Sequence, residues 1–272
     1  MTNIQYQRGA IDAGGCVSNG WNLVSQNYWV FFGMTTLLIV SSFIISCIPY
    51  VPILFQIFVV PAVSVGIYYA LLRSMRGESV EFGMMFKGFE RYVPAMVVGA
   101  ISSLPQIAFT ILSVVLDLGS VASKVIQQRM GRGGGSNFAA ADDAAPLIAG
   151  GLVLLFLVIF AVYIVISLAW GITFFFALPI LSEHDVSPIE AIKLSAKAGW
   201  SNPGGLFLLF ILEGLISIAG FLALCIGLLF VIPIVFAASA FAYRQVFPLI
   251  ESNLNFTPPP PNSYGSNFGS GM

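Results

Sequence analysis

The chain has 272 residues, of which 58% are hydrophobic and 8% charged, against about 45–50% apolar and about 25% charged in an average soluble domain. So few charges cannot coat a water-soluble globule of this size, and the apolar content is too high for intrinsic disorder. A net charge of −1 leaves no basic excess for nucleic acid, so the composition points to an all-α membrane protein whose first partner is the lipid bilayer.

Residues 1–27 are polar and glycine-rich, without the basic start and apolar core of a secretory signal. The first spanning helix is therefore expected to direct insertion. It runs over Trp29–Cys47 and is followed, after the turn Ile48–Pro49–Tyr50, by a second span over Val51–Leu72. Arg73, Arg76, Glu78 and Glu81 mark a solvated loop, and a third span follows at Tyr92–Leu116. The stretch Asp117–Ala145 reads as an external loop, too glycine-rich at Gly131–Gly135 for regular structure. Leu147–Leu181 would form a helix of about 52 Å, longer than the hydrocarbon core of about 30 Å. It must tilt, project, or break near Gly171 or Pro179. Gly204–Phe247 is long enough for two spans, split near Ala219–Gly227. Six spans result in one domain, residues 1–251, with residues 252–272 as a flexible cytoplasmic tail that opens on Pro258–Pro261.

The spans pair into three hairpins, each preceded by an amphipathic interfacial helix: Ala10–Gln26, Val80–Arg91 and Pro188–Gly199. Gly20–Trp21, Gly88–Phe89 and Gly199–Trp200 stand at corresponding places, so Trp21, Phe89 and Trp200 are the interfacial repeat positions. Pro61, Pro179 and Pro233 recur in the second helix of each hairpin, and the charged residues Arg73, Glu183 and Arg244 follow. In the third segment Ile189, Ile192 and Ala196 make the apolar face. Ser187, Pro188 and Glu190 read as N-cap, first-turn proline and capping acid. In the second, Phe82, Met85, Phe86 and Phe89 share a face opposite Lys87, Glu90 and Arg91. Chance matches between interfacial aromatics, and solvated helices packed on the bundle, are the competing readings.

Eight Lys and Arg residues lie on the side of both termini, and only Lys124, Arg129 and Arg132 on the other. The positive-inside rule then puts both termini in the cytoplasm of a bacterial inner membrane.

The run Ser187–Ser195, Gly199–Trp200, Ile232–Pro233–Ile234 and Ala242–Tyr243–Arg244, with Gly20–Trp21, Asn27, Gly66–Tyr69 and Arg76–Gly77–Glu78, resembles a bacterial family. Its members are membrane proteins similar to the membrane domain of glycerophosphodiester phosphodiesterases (the YciC-like group). The resemblance implies a six-span inner-membrane protein and does not imply catalysis.

Chemistry-bearing groups are scarce. One histidine, His184, and three scattered cysteines, Cys16, Cys47 and Cys225, offer no metal cage and no disulfide framework, and Cys47 and Cys225 in apolar runs read as buried thiols. There is no GxSxG elbow, and the glycine run lacks the GK[ST] of a phosphate loop. No catalytic residue, cofactor or metal is expected. Glu213 is the acid well inside a span. It reads either as an ion or proton site or as a hydrogen-bonded helix contact, with Gln106 and Gln56 as candidate partners. Two functions follow: a non-catalytic scaffold, assembly factor or subunit of a membrane complex, with other membrane subunits as partners, or a small transporter or channel built on Glu213.

Overall fold

Every regular element among the described residues of the computed structural model is helical; these residues are 4–48, 51–114, 139–223 and 226–248. Helices close their backbone hydrogen bonds internally, which a chain this apolar requires in hydrocarbon. In chain order they are α1 (Ala13–Gln26), α2 (Tyr28–Ser46), α3 (Val51–Phe58), α4 (Val60–Met75), a 3-10 segment (Phe82–Arg91), α5 (Tyr92–Ser102), α6 (Leu104–Val114), α7 (Ala139–Phe174), α8 (Ala177–Glu183), α9 (Pro188–Trp200), α10 (Pro203–Leu222) and α11 (Ile226–Val246). Five stretches are long and apolar enough to cross a membrane: Tyr28–Ser46, Val51–Met75, Leu154–Glu183, Pro203–Leu222 and Gly227–Val246. The bent pair Phe82–Ser102 and Leu104–Val114, 46° apart, makes a sixth if it counts as one span.

Prolines account for the interruptions. A proline has no N–H and its ring displaces the carbonyl four residues back, so the preceding turn opens. Val59 breaks the second span two residues before Pro61, and Ser103 bends the third two residues before Pro105. Phe175 and Phe176 separate α7 from α8 just ahead of Pro179. The long fourth run thus breaks beside Pro179, whereas Pro233 sits inside an unbroken α11. The prolines do not share a register: Pro61 and Pro233 lie twelve and eleven residues before Arg73 and Arg244, and Pro179 only four before Glu183.

α7 begins at Ala139, within the stretch read from sequence as a loop, where alanines at 139–141, 144 and 145 favour helix. The rest of that loop and the tail lie outside the described residues, as do Pro49, Tyr50 and Cys225. Of the two cysteines assigned to buried runs, Cys47 is exposed; the buried thiol is Cys16.

Burial is concentrated at one end of the bundle. Phe176, Ile180, Leu181, Tyr243 and Phe247 form one cluster, and Phe31, Met34, Ile67, Leu71 and Met85 a second. The far reaches of the spans, such as Phe43, Leu54, Ile111, Leu154 and Leu222, are exposed apolar surface, which hydrocarbon satisfies at no cost.

The three lead-in segments contact the bundle through their glycines. A Cβ on Gly20 would lie 2.9 Å from the Ala238 amide nitrogen of α11. One on Gly88 would collide with the Ala62 carbonyl of α4, and one on Gly199 with the Ile172 carbonyl of α7. In each case glycine is what lets two backbones touch. The side that faces the bundle differs from the sequence expectation. In α9 it is Ala191, Ser195, Ala198 and Gly199, while Ile189 is exposed. In the 3-10 segment, at three residues per turn, Met85 and Gly88 are buried and Phe82, Phe86 and Phe89 are exposed. The expected single apolar face is therefore split by the tighter winding. Ser187 caps α9 as expected: the Glu190 N–H donates to its Oγ at 3.3 Å, and its own N–H donates to Glu190 Oε2 at 3.3 Å.

Candidate functional site

Glu213 occupies the middle of α10. Ser239 Oγ of α11 donates a hydrogen bond to its Oε1 at 2.8 Å. Glu213 is half-buried, and this contact turns its carboxyl group toward α11. Burial, then Asp12, then Glu213, push the Cys16 thiol up to about 12, and its S–H points at Gln245 Oε1, 3.3 Å away. That thiol is not a nucleophile at neutral pH.

The two glutamines are not partners of Glu213. Gln56 and Gln106 face one another's elements across a separate pocket between α3 and α6, which Ser103 and Thr110 also line. Both are exposed, and among the described residues neither side chain makes a hydrogen bond. Trp21, Phe89 and Trp200 are each 40% exposed or more. They stand on three different elements, and Trp200 donates from Nε1 to Thr173 Oγ1 at 3.1 Å.

The most connected carboxylate among the described residues is Glu183, which the sequence marks as a charge after a proline. It ends α8, with 14% of its side chain exposed. Tyr243 donates to its Oε2 at 2.8 Å, and Arg244 donates from both terminal nitrogens, at 2.9 and 3.1 Å. Arg76 stands 3.7 Å from the same carboxylate, and His184 Nε2 stands 3.9 Å from it. The fork of Arg244 on a carboxylate is a geometry lysine cannot supply. Gly77, with φ of +74°, turns the chain after α4 so that Glu78 folds back onto Arg73 and Arg76. Those bonds, Arg76 first and Arg73 second, hold the Glu78 carboxyl below the usual range. Arg91 bridges the start of α5 to the end of α8, donating to the His184 carbonyl at 2.8 Å and to Asp185 at 3.0 Å. Burial holds the His184 imidazole below its ordinary value. Glu183 opposes that shift, and Arg244 and Arg91 add to it.

Arg73, Glu183 and Arg244, near the ends of α4, α8 and α11, thus converge on one end of the bundle. The signal was present in their recurrence, but a recurrence does not say that its members touch. Among the described residues no three His, Cys, Asp or Glu groups are placed to hold a metal ion. No family model, curated protein or solved structure matches the chain.

Proposed function

We propose that the chain is a non-catalytic integral membrane protein of the YciC-like kind, serving as a scaffold, assembly factor or subunit of a membrane complex in a bacterial inner membrane. The observation that carries this reading is the pair Gln56 and Gln106. Two amides on the apolar helices α3 and α6, exposed on a shared pocket and without a side-chain hydrogen bond to any described residue, are suited to the polar face of another chain's helix. The test is gentle purification in lipid nanodiscs followed by size analysis. We expect a complex larger than one chain, reduced by Gln56→Leu together with Gln106→Leu. A monodisperse single chain that is indifferent to both substitutions would count against it.

Six spans in three hairpins, rather than five, are supported by where the ends meet. Gln7 N–H donates to the Val246 carbonyl at 2.8 Å, and Arg91 pairs with Asp185. Residues 91 and 185 therefore share a face, and α7–α8 alone cannot return the chain to it, so α5–α6 is read as the other crossing. The glycine contacts support a threefold repeat. Each lead-in segment rests on the closing helix of the preceding hairpin, and α1 rests on the last, so the order is cyclic. With the positive-inside bias, the shared charged face is the cytoplasmic one.

The transporter reading keeps one specific observation, the Glu213–Ser239 contact. Its test is proton-coupled uptake into liposomes over a metabolite panel. Under that reading Glu213→Gln abolishes an uptake that the unmutated protein performs.

A further inference from the structure

At the charged end, between α4, the 3-10 segment and α8, lies a cavity of about 210 Å³ with mostly polar walls. Its lining includes Tyr69, Lys87, Glu90, Arg91, Ser182 and Glu183. That volume holds several water molecules, and so a group of phosphate size. The charges around it are not equally committed. Glu183 is occupied by Arg244 and Tyr243 from its far side. Arg91 spends one nitrogen on Asp185, whose side chain is 96% exposed and therefore screened. Lys87 and Glu90 form no ion pair with any described residue. Three apart on a 3-10 segment, they project in the same direction, yet they stay more than the 4.0 Å ion-pair distance from one another. The Lys87 ammonium lies over the Tyr69 ring, 5.3 Å from its centroid. The cavity thus offers a cation without an ion-pair partner among the described residues, a second cation beside it, and an anion likewise without such a partner on the same wall.

The surface beside the cavity is of the opposite character. Phe82, Phe86 and Phe89 are exposed by 40–50%. Phe86 stacks on Phe89 at 6.5 Å, and Phe89 on Tyr92 at 6.1 Å. A row of exposed aromatics at the end of apolar spans is the arrangement that seats in the headgroup layer.

We propose that this cavity binds the zwitterionic headgroup of an aminophospholipid. The phosphate sits between Lys87 and Arg91, the primary ammonium sits at Glu90, and the acyl chains run along the phenylalanine row. A purely anionic headgroup would leave Glu90 repelling it. A quaternary ammonium has no N–H to give Glu90.

The experiment uses delipidated full-length protein in detergent, with thermal unfolding read against added phosphatidylethanolamine, phosphatidylcholine, phosphatidylglycerol or soluble phosphoethanolamine. Phosphatidylethanolamine is expected to raise the midpoint by about 2–4 °C. Phosphatidylcholine and phosphatidylglycerol should do markedly less. Lys87→Gln and Glu90→Gln, both on exposed side chains, should keep the lipid-free midpoint and lose the preference. A gain from soluble phosphoethanolamine alone assigns the site to the free headgroup chemistry; its absence assigns it to the lipid. Equal stabilisation by all three lipids, or a preference that survives both substitutions, overturns the proposal. The comparison among lipids on the unmutated chain stands even if a variant fails to fold.

Discussion

At the scale of single residues the consequential groups are those whose partners come from distant sequence. Glu183 and Arg244 are sixty-one positions apart and share two hydrogen bonds. Residue type foretold that a charge would lie outside the apolar runs, but pairing is a property of the packed helices and was not legible. Cys16 makes the same point from the other side. It was the cysteine outside the apolar runs, yet α1 folds it inward while Cys47 stays exposed. His184 gives a direct test of the charged end, because one histidine yields one set of ring resonances in a histidine-labelled sample. Its imidazole is held below the model-peptide value by burial first, so it is neutral at pH 7. A depressed base binds fewer protons folded than unfolded. Stability should therefore fall as pH drops below about 6.5 and level off once the pH is below the folded value. Arg91→Gln removes a cation that contributes to the depression, and the titration midpoint should move upward. A midpoint at or above about 6.5 in the unmutated protein would contradict the burial of the ring.

At the scale of elements the sequence was informative about existence and poor about faces. Apolar run length, proline and the Ser187–Glu190 cap located the helices, because these are local signals. The side each lead-in segment turns inward is set largely by glycine and small residues in backbone contact, so of the apolar stripe expected in α9 Ile192 packs on the core while Ile189 is exposed, and the stripe in the 3-10 segment is split. The break between α7 and α8 shows how an interruption is tolerated. It leaves the Phe176 N–H and the Thr173 carbonyl without helical partners. Ser195 of α9 serves both, with its Oγ accepting from Phe176 N at 3.1 Å and donating to the Thr173 carbonyl at 2.7 Å. Ser195 is fully buried, so no water replaces it. Ser195→Ala should cost about 1–3 kcal/mol, the penalty for buried groups left unpaired, read as a lower unfolding midpoint in nanodiscs. Ser195→Thr, which keeps a hydroxyl, should lose less of the hydrogen bonding but must fit an extra methyl in a packed site. Indifference to Ser195→Ala would mean that the α7–α8 junction relaxes into a continuous helix.

At the scale of the whole molecule the deciding question is parity. Composition and run length alone allow five or six crossings, since α5 and α6 are each too short to span by themselves and meet at a 46° bend. The contacts at the charged end constrain the count. Arg76 reaches Glu183, Glu183 binds Arg244, Arg91 meets Asp185, and the Asn202 side chain accepts from Ala10 N at 3.0 Å and donates to the Gln7 carbonyl at 3.1 Å. The ends of α4, α8 and α11 and the starts of α1, α5 and α10 are therefore gathered on one face. On the six-span reading proposed above, the chain crosses an even number of times between any two of them, and the bent pair is one of those crossings. In a background with Cys16, Cys47 and Cys225 replaced by serine, single cysteines at Thr2, Ser79, Lys193 and Ser252 should resist a membrane-impermeant maleimide in intact cells and react after lysis. A cysteine at Ser136 should react before lysis. If Ser79 and Lys193 label from opposite sides, α5–α6 is a re-entrant element and the three hairpins reduce to two and a half. If all four are labelled from outside, the crossings are even but the charge bias has been read with the wrong sign.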